Sequence, residues 1–443
     1  MLRAAIWSLR ILGAAFAGAI VRLARRWTRK RPRIWHGFWV LHISADHARV
    51  DRLAGYPSYV VALQLSQFAY EIFERGRFDI VWEDQGVAPE DRHWHSLRHL
   101  LLHGDIWVPF FDCLFFPGRP HLNQLTFRLL KAVGIRIIAV TQGGDVVHKP
   151  RWVTRYDWVG RWQASYPNWD LEAHVPVARE RIENFCRHAD LVVADSPTMA
   201  RFLPRVDLCF KYFPVDVETF ALAQSPSTER QPVIVHATNH RPVKGTDFLV
   251  DTAARLRKAG IALDLQIVEC TPRMEAIDIY RGADIVADQF CMGGFGCFAM
   301  ECMALGKPVV SYAEEAELGL PQFNVPLVQG TRENLDEVMA VLIALPVLRE
   351  RLGAASRAAA ERYMSFVALA EVWSVIYDHV WWGKPLDLES TAIFDPTRPA
   401  RPFTEDPSRE EFWPVDVSDL LRRIQEIVAE MRRNPSSTAT AGT

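Results

Sequence analysis

Apolar side chains recur at steps of three and four from the start of the chain: Leu2, Ile6, Leu9, Leu12, Phe16, Ile20, Leu23 and Trp27. That spacing puts them on one face of a helix over 2–27. From Gly37 the pattern changes. Short apolar runs at Gly37–Ile43, Phe78–Glu83, Asp105–Phe111, Ile135–Thr141, Leu191–Asp195 and Leu208–Phe213 predict buried strands. Tyr59–Glu74, His121–Ala132 and Ala178–His188 predict amphipathic helices between them. Strands alternating with helices indicate parallel βα units with both sheet faces covered. A polar stretch, Ala223–Pro232, precedes a second α/β set with strands at Val233–Ala237, Leu263–Val268, Asp284–Asp288 and Pro308–Tyr312. Helical patterns dominate from Arg332 to about Trp382. A Pro-rich segment follows, then a short amphipathic helix near Val417–Arg433 and a Ser/Thr/Ala tail of disordered composition.

The expected division is a basic amphipathic helix (1–33), a doubly wound α/β domain (34–214), a linker (215–232), a second such domain (233–384) and a C-terminal segment (385–443). Two doubly wound domains in tandem predict a ligand crevice at the carboxyl ends of both sheets, where the domains face each other. Polar residues at those strand ends carry the chemistry.

The chain has 443 residues, 49% of them hydrophobic and 23% charged, which excludes a disordered, fibrous or polytopic membrane protein. Its net charge of −2 hides an asymmetry. Residues 1–33 hold nine basic side chains and no acidic one, so the rest is acidic and offers no global field for nucleic acid. An apolar stripe with Arg3, Arg10 and Arg25 on the opposite side, and cations from Arg22 to Arg33 at the far end, predicts a helix lying on an anionic membrane. Three other readings stay open: a signal peptide with Ile11–Val21 as its apolar core, a spanning helix burdened by Arg10, and a helix packed on the protein itself. The seven cysteines form no CxxC pair. Cys291, Cys297 and Cys302 cluster without a histidine at zinc spacing, so reduced thiols in the cytoplasm are expected and no metal site.

Val233–Thr246 reads as a strand, a loop and a helix start, presenting Asn239, His240, Arg241 and Lys244 at a carboxyl edge. A guanidinium fork and an ammonium suit a diphosphate; a merely solvated basic loop is the alternative. Asp288–Val310 reads as strand, glycine-rich loop, helix and strand. Gly293, Gly294 and Gly296, with Phe295 among them, let the backbone approach a ligand and aim N–H groups at an anion. Glu301, in the helix that follows, can accept hydrogen bonds from ribose hydroxyls or serve as a capping acid. In the first domain Gln142, Gly143, Gly144 and Asp145 follow a strand. Asp145 either orients an acceptor or sugar hydroxyl or caps the next helix. The aromatics Trp152, Tyr156, Trp158, Trp162, Tyr166 and Trp169 form either a sugar or lipid platform or part of a core or interface; Glu269 ranks below the others as a crevice residue.

Together these segments, from about 190 to 380, resemble the donor domain of family-4 glycosyltransferases of the GT-B fold. Lys244-Gly-Thr-Asp-Phe-Leu249 resembles its K-G-x-x-x-L element and Met300–Val309 its L-E-A-M-A-x-G-x-P-V. Val215–Phe220 is similar to its NGVD-x-x-x-F linker, Val140–Asp145 to its T-x-H-G-x-D loop, and His188–Ser196 to its A-D-x-x-x-x-x-S strand. The resemblance implies two Rossmann-like domains facing across a cleft. It implies that Lys244 and Arg241 hold the donor diphosphate, that Glu301 binds the ribose, and that the Gly293–Gly296 backbone meets phosphates and sugar, with no metal or other cofactor. Three features differ from the pattern. Gly293 stands where the family has the first of two glutamates, Gln142 stands where it has a histidine, and little chain separates Leu263–Val268 from Tyr280–Asp288.

The function expected is metal-independent, retaining transfer of a sugar from a nucleotide donor to a glycan or lipid-linked envelope acceptor, at the inner face of the cytoplasmic membrane. Asp145, Arg241 and Lys244 are the expected catalytic residues. A catalytically weakened scaffold of the same fold is the alternative, and a nucleotide-sugar epimerase a third reading.

Overall fold

The computed structural model describes residues 2–38, 42–64, 75–116, 118–146, 158–166, 170–220, 230–314 and 326–394, with single positions at 422, 426, 429 and 433. The chain clusters into two compact units. The first draws on Met1–Pro150, Trp169–Asp216 and Arg362–Pro399, the second on Arg151–Asn168, Val217–Glu361 and Ala400–Thr443.

The first unit is built on strands β1 (Ile34–Phe38), β2 (Ser58–Ala62), β3 (Ile80–Val81), β4 (Ile106–Val108), β5 (Arg136–Val140), β6 (Leu191–Ala194) and β7 (Leu208–Cys209). They pair in parallel in the order β3-β2-β1-β4-β5-β6-β7. Every residue of β1 and β6 is buried, as strands covered on both faces require. The second unit has β8 (Val233–Ala237), β9 (Asp264–Val268), β10 (Ile285–Ala287), β11 (Val309–Ser311) and β12 (Leu327–Gln329), parallel in the order β12-β11-β10-β8-β9. Strand order reverses between β1 and β4 in one sheet and between β8 and β10 in the other. In open α/β sheets such reversals are where loops diverge and leave a crevice.

The amino edges of both sheets share one device. A backbone N–H that the ladder does not reach needs another acceptor. Here the aspartate just before a strand accepts an N–H from the strand beside it, or from the residue that leads into it: Asp79 from Val60, Asp105 from Arg33, Asp190 from Ile137, Asp207 from Val192 and Asp284 from Val233, each at 2.8 Å. Each aspartate N–H donates in return to the carbonyl of the same residue. The two bonds clasp neighbouring strands at their starts and set the register from that end.

Helix α1 (Leu2–Trp27) packs along α3 (Pro89–His103) through the face that carries Trp7, Ile11, Ala14, Ala15, Gly18 and Arg22. Trp7 Nε1 donates to Asp91 at 3.0 Å, and a side chain at Gly18 would collide with the Leu101 carbonyl. Arg22 is buried and donates to the carbonyls of Leu101, Gly104 and Val133. Arg25 and Arg33 both reach the buried Asp105. Packing on the protein itself is therefore one face of α1, and part of the basic cluster is spent inward. The stripe from Leu9 to Trp27 is the opposite, exposed face.

Several elements differ from the sequence expectation. Tyr59–Ala62 belongs to β2 rather than to a helix, because a short run apolar at every position carries no period to separate the two. The first strand begins at Ile34, and His42–Leu53 is helix α2, not the end of a strand. α3 was unexpected: its buried face includes Arg92 and Ser96 beside Leu97, Leu100 and Leu101, so the apolar stripe is short. The three-residue β12 was also missed. The contiguous division at 214 and 384 does not hold either. Phe366–Trp382 lies in the first unit, where Tyr377 donates to the buried Asp51 at 2.8 Å, alongside His36 and Ser58. Residues 158–166 lie in the second unit. Residues 385–394 also belong to the first, with Ile393 buried. The linker residues 221–229 lie outside the described residues, as does the segment near Val417–Arg433 apart from its four single helical positions.

Two consequences are measurable. Asp105→Asn leaves Arg25 and Arg33 without their carboxylate in a buried setting, and we expect a loss of about 3 kcal/mol or more in urea unfolding of the full chain. An unchanged midpoint contradicts the role given to Asp105. Burial lowers His47 to about 3, and His99 and His236 to about 4, from an ordinary value of 6.5. The folded state keeps these rings neutral while the unfolded chain protonates them. Their contribution is thus full above pH 6.5 and is lost as pH falls toward 4. The melting temperature should already drop between pH 6.5 and about 5, above the range in which ordinary carboxylates titrate; a flat profile there counts against buried neutral rings.

Candidate functional site

In the second unit the site grows from the reversal between β8 and β10. β8 ends in Thr238, Asn239 and His240, and a one-turn helix, Arg241–Lys244, follows. Gly245 links it to the helix Thr246–Lys258 with φ of 72°. A side chain there would meet Cys291 Sγ at 2.8 Å, so glycine is needed for both dihedral and space. Beneath the turn His236 bridges the Ala287 carbonyl and Thr246 Oγ1, each at 2.8 Å. A carbonyl only accepts, so Nδ1 carries the proton and Nε2 accepts from the threonine. The buried, neutral ring ties β8 to β10 and to the helix start.

Lys244 Nζ donates to Asp288 Oδ1 at 2.7 Å, and Gly296 N–H donates to Asp288 Oδ2 at 2.9 Å. Gly296 begins the helix Cys297–Ala304, which has no side-chain cap of its own. An ammonium and a helix N-terminus thus converge on one carboxylate, which is wholly buried at the end of β10. Spacing alone does not single out Asp288, since a strand-terminal acid looks like any other until the lysine is placed against it.

The other expected donor residues are equally engaged. Arg241 forms a bidentate pair with Glu269, at 2.8 and 2.6 Å, and is more than half exposed; its pKa is raised by that hydrogen bond, while that of Glu269 is lowered by it. Asn239 accepts from the Cys270 N–H, holding the loop to the end of β9. His240 is in contact with the Tyr166 hydroxyl at 2.6 Å, and burial lowers its pKa. Of the aromatic run, Tyr166 packs on His240 at the turn after β8. Trp152, Tyr156 and Trp169 lie outside the described residues. Glu301 is buried and accepts from Arg273 Nη2 at 2.7 Å, a partner the sequence did not suggest.

The glycine loop is not a row of free amides. Gly294 N–H donates to the Tyr312 carbonyl and its own carbonyl accepts from Ser311 Oγ. Phe295 is buried. Gly293 has φ of 77°, and a Cβ there would lie 2.6 Å from Glu314 Cγ. The space where a glutamate side chain would start at 293 is filled by Glu314, reaching in from the residues after β11. Cys291 and Cys302 are buried thiols, both raised by burial, Cys291 to about 12, as inert core cysteines are. The connection from β9 to β10 is the nine-residue helix Arg273–Arg281.

In the first unit Asp145 is held differently from the catalytic expectation. It is buried; Oδ1 accepts from the Gln142 and Gly143 N–H groups, and Oδ2 from that of Phe111. Both oxygens serve to fold the loop, so the structural alternative describes it better than a hydroxyl-orienting one. Burial and the charge of Asp112 push its pKa up to about 8. Gln142 Nε2 donates to Asp112 at 2.9 Å. Asp112, half-buried at the end of β4 beside the strand-order reversal, is the more accessible carboxylate of the pair and was missed. Gly144 lies in the short turn with Asp145.

No protein-family model matches the sequence, and no curated protein matches it. Solved structures do. Sucrose-phosphate synthase from Thermosynechococcus elongatus aligns with a TM-score of 0.54 at 13% identity, over 80% of this chain and 100% of that one. An alpha-glucosyltransferase in complex with UDP and a 13-mer DNA gives 0.54 at 12% identity, over 78% and 98%. Anabaena HepE in complex with UDP and glucose gives 0.50 at 14% identity, over 78% and 98%. At such identities the likeness is one of fold. Two doubly wound units with wholly parallel sheets, matched over nearly the full length of these proteins, give the chain the GT-B fold of glycosyltransferases.

Proposed function

We propose that the protein is a glycosyltransferase that binds a nucleoside-diphosphate sugar in its second unit and passes the sugar to an acceptor with retention of configuration, without a metal ion. The observation that carries this reading is the convergence of Lys244 and the Gly296 N–H on one anionic group at the start of a helix, where strand order reverses. That is the arrangement by which a fold of this kind receives a phosphate. Two of the fold neighbours are in complex with UDP, one of them also with glucose, which supports a donor of this class.

On this reading the donor diphosphate competes with Asp288 for Lys244 and with Glu269 for Arg241. The exposed Arg241 turns to it with little loss of packing. Negative charge accumulates on the leaving diphosphate in the transition state, and Lys244, Arg241 and the helix N-terminus stabilise it there. Glu301, held by Arg273, accepts from the ribose hydroxyls. In the first unit Asp112 and Gln142, set by Asp145, are the polar groups offered to an acceptor. The acceptor is a glycan or lipid-linked envelope precursor at the cytoplasmic face of a membrane.

A second reading follows from the pairing of both cations with carboxylates and from Gly293 and Gln142: a nucleotide-binding scaffold of the same fold without turnover. Titration of the purified chain with UDP and other nucleoside diphosphates, then incubation with their sugars and membranes, separates the readings. Transfer supports the enzyme, binding without transfer or donor hydrolysis supports the scaffold, and interconversion of the donor without an acceptor supports an epimerase. Lys244→Ala and Glu301→Gln should each weaken nucleotide binding about tenfold, or 1.4 kcal/mol. Unchanged affinity in both removes the site assignment.

A further inference from the structure

Helix α1 is apolar on two opposite faces, and the fold uses only one. Trp7, Ile11, Ala14, Ala15 and Gly18 are taken up against α3, and Arg22 is fixed by three carbonyls. On the other side Leu9, Leu12, Phe16, Ile20, Leu23 and Trp27 are each more than half exposed. They run for about 27 Å along the helix at a rise of 1.5 Å per residue. A continuous row of six large apolar side chains exceeds what a soluble surface tolerates without a partner.

Charge selects the partner. The row ends at Trp27, next to the exposed Arg29, Lys30 and Arg31, and Arg10 is exposed beside it. No acidic residue occurs before Asp46. Two copies paired through this row would set Arg29–Arg31 of one against the same cations, or against Arg3 and Arg10, of the other, with no carboxylate of the helix to offset them. A surface that is apolar inside and anionic at its edge meets both features. A spanning orientation fails, because the docked face of α1 would carry α3, with Glu90, Asp91 and Arg98, into the hydrocarbon.

We propose that the row from Leu9 to Trp27 lies in the headgroup region of an anionic bilayer, with α1 parallel to the membrane and clamped to the first unit by its other face. Trp27 and the cations after it sit at the level of the lipid phosphates. The helix is thus a fixed plate that orients the first unit on the membrane, not a tether. This inference stands apart from the transferase reading and from the nucleotide site.

The test uses the full chain and vesicles of phosphatidylcholine with or without phosphatidylglycerol. Leu12→Glu, Phe16→Glu and Leu23→Glu combined change only exposed positions, so thermal unfolding and nucleotide binding should match the wild type. Wild type should sediment with the anionic vesicles at least about tenfold more strongly than the triple variant, and Arg29→Glu with Lys30→Glu should weaken binding at low salt more than at high salt. Three results overturn the proposal. The first is equal vesicle binding by wild type and triple variant. The second is a wild-type dimer in buffer that the triple variant converts to monomer, which assigns the row to a second copy. The third is a wild-type chain that ignores vesicles altogether, which assigns the row to a cover from within the chain.

Discussion

Five aspartate clasps at the amino edges of the sheets organise this molecule. An N–H that the neighbouring ladder does not reach costs a kilocalorie or more if it is buried without a partner. Asp79, Asp105, Asp190, Asp207 and Asp284 remove that cost, because each returns both a carboxylate acceptor and an N–H donor to one residue of the adjacent strand. Register is held from that end, and the carboxyl ends carry the loops. There the loops depart in different directions, and there the chemically distinctive side chains gather. Asp105 carries a further load, since its charge also collects Arg25 and Arg33 and so joins α1 to the start of β4.

At the carboxyl edge of the second unit the electrostatics are more balanced than a phosphate-binding loop in isolation suggests. Each cation has a carboxylate: Arg241 has Glu269 and Lys244 has Asp288. The two pairs are unequal. Glu269 and Arg241 are solvated, so their mutual attraction is weak and easily exchanged for another anion. Asp288 is wholly buried and also accepts the first N–H of a helix, so its charge is fixed in place and helps aim the ammonium. A ligand that draws on Lys244 meets a residue already oriented, in the field of a helix N-terminus.

The same economy of side chains appears at α1 and in the loop of Asp145. Arginines that look, on a helical projection, like a headgroup-binding face are half consumed by carbonyls and by Asp105. Asp145, which looks like an acid placed for chemistry, is consumed by three backbone amides. In both places a polar group is drawn inward because the backbone around it has polar atoms that water no longer reaches. The residues beside them, Arg29 and Lys30 in one case and Asp112 in the other, keep more of their exposure.

The periodicity of apolar residues was enough to determine two parallel α/β sheets, most strand positions, the N-terminal helix and the segments bearing Lys244, Gly296 and Glu301, because buried strands and amphipathic helices are each written in local spacing. Pairing across the fold was not local. Nothing in the spacing tells that Asp288 meets Lys244, that Arg273 holds Glu301, or that Glu314 fills the space over Gly293, since each joins residues from separate segments of the chain. Nor does a helical stripe say which of its sides will be covered. α1 has an apolar row and a second face on which Ala14, Ala15 and Gly18 follow Trp7 and Ile11, and only docking against α3 decided that this second face goes inward, because close approach of two helices favours alanine and glycine over leucine and phenylalanine.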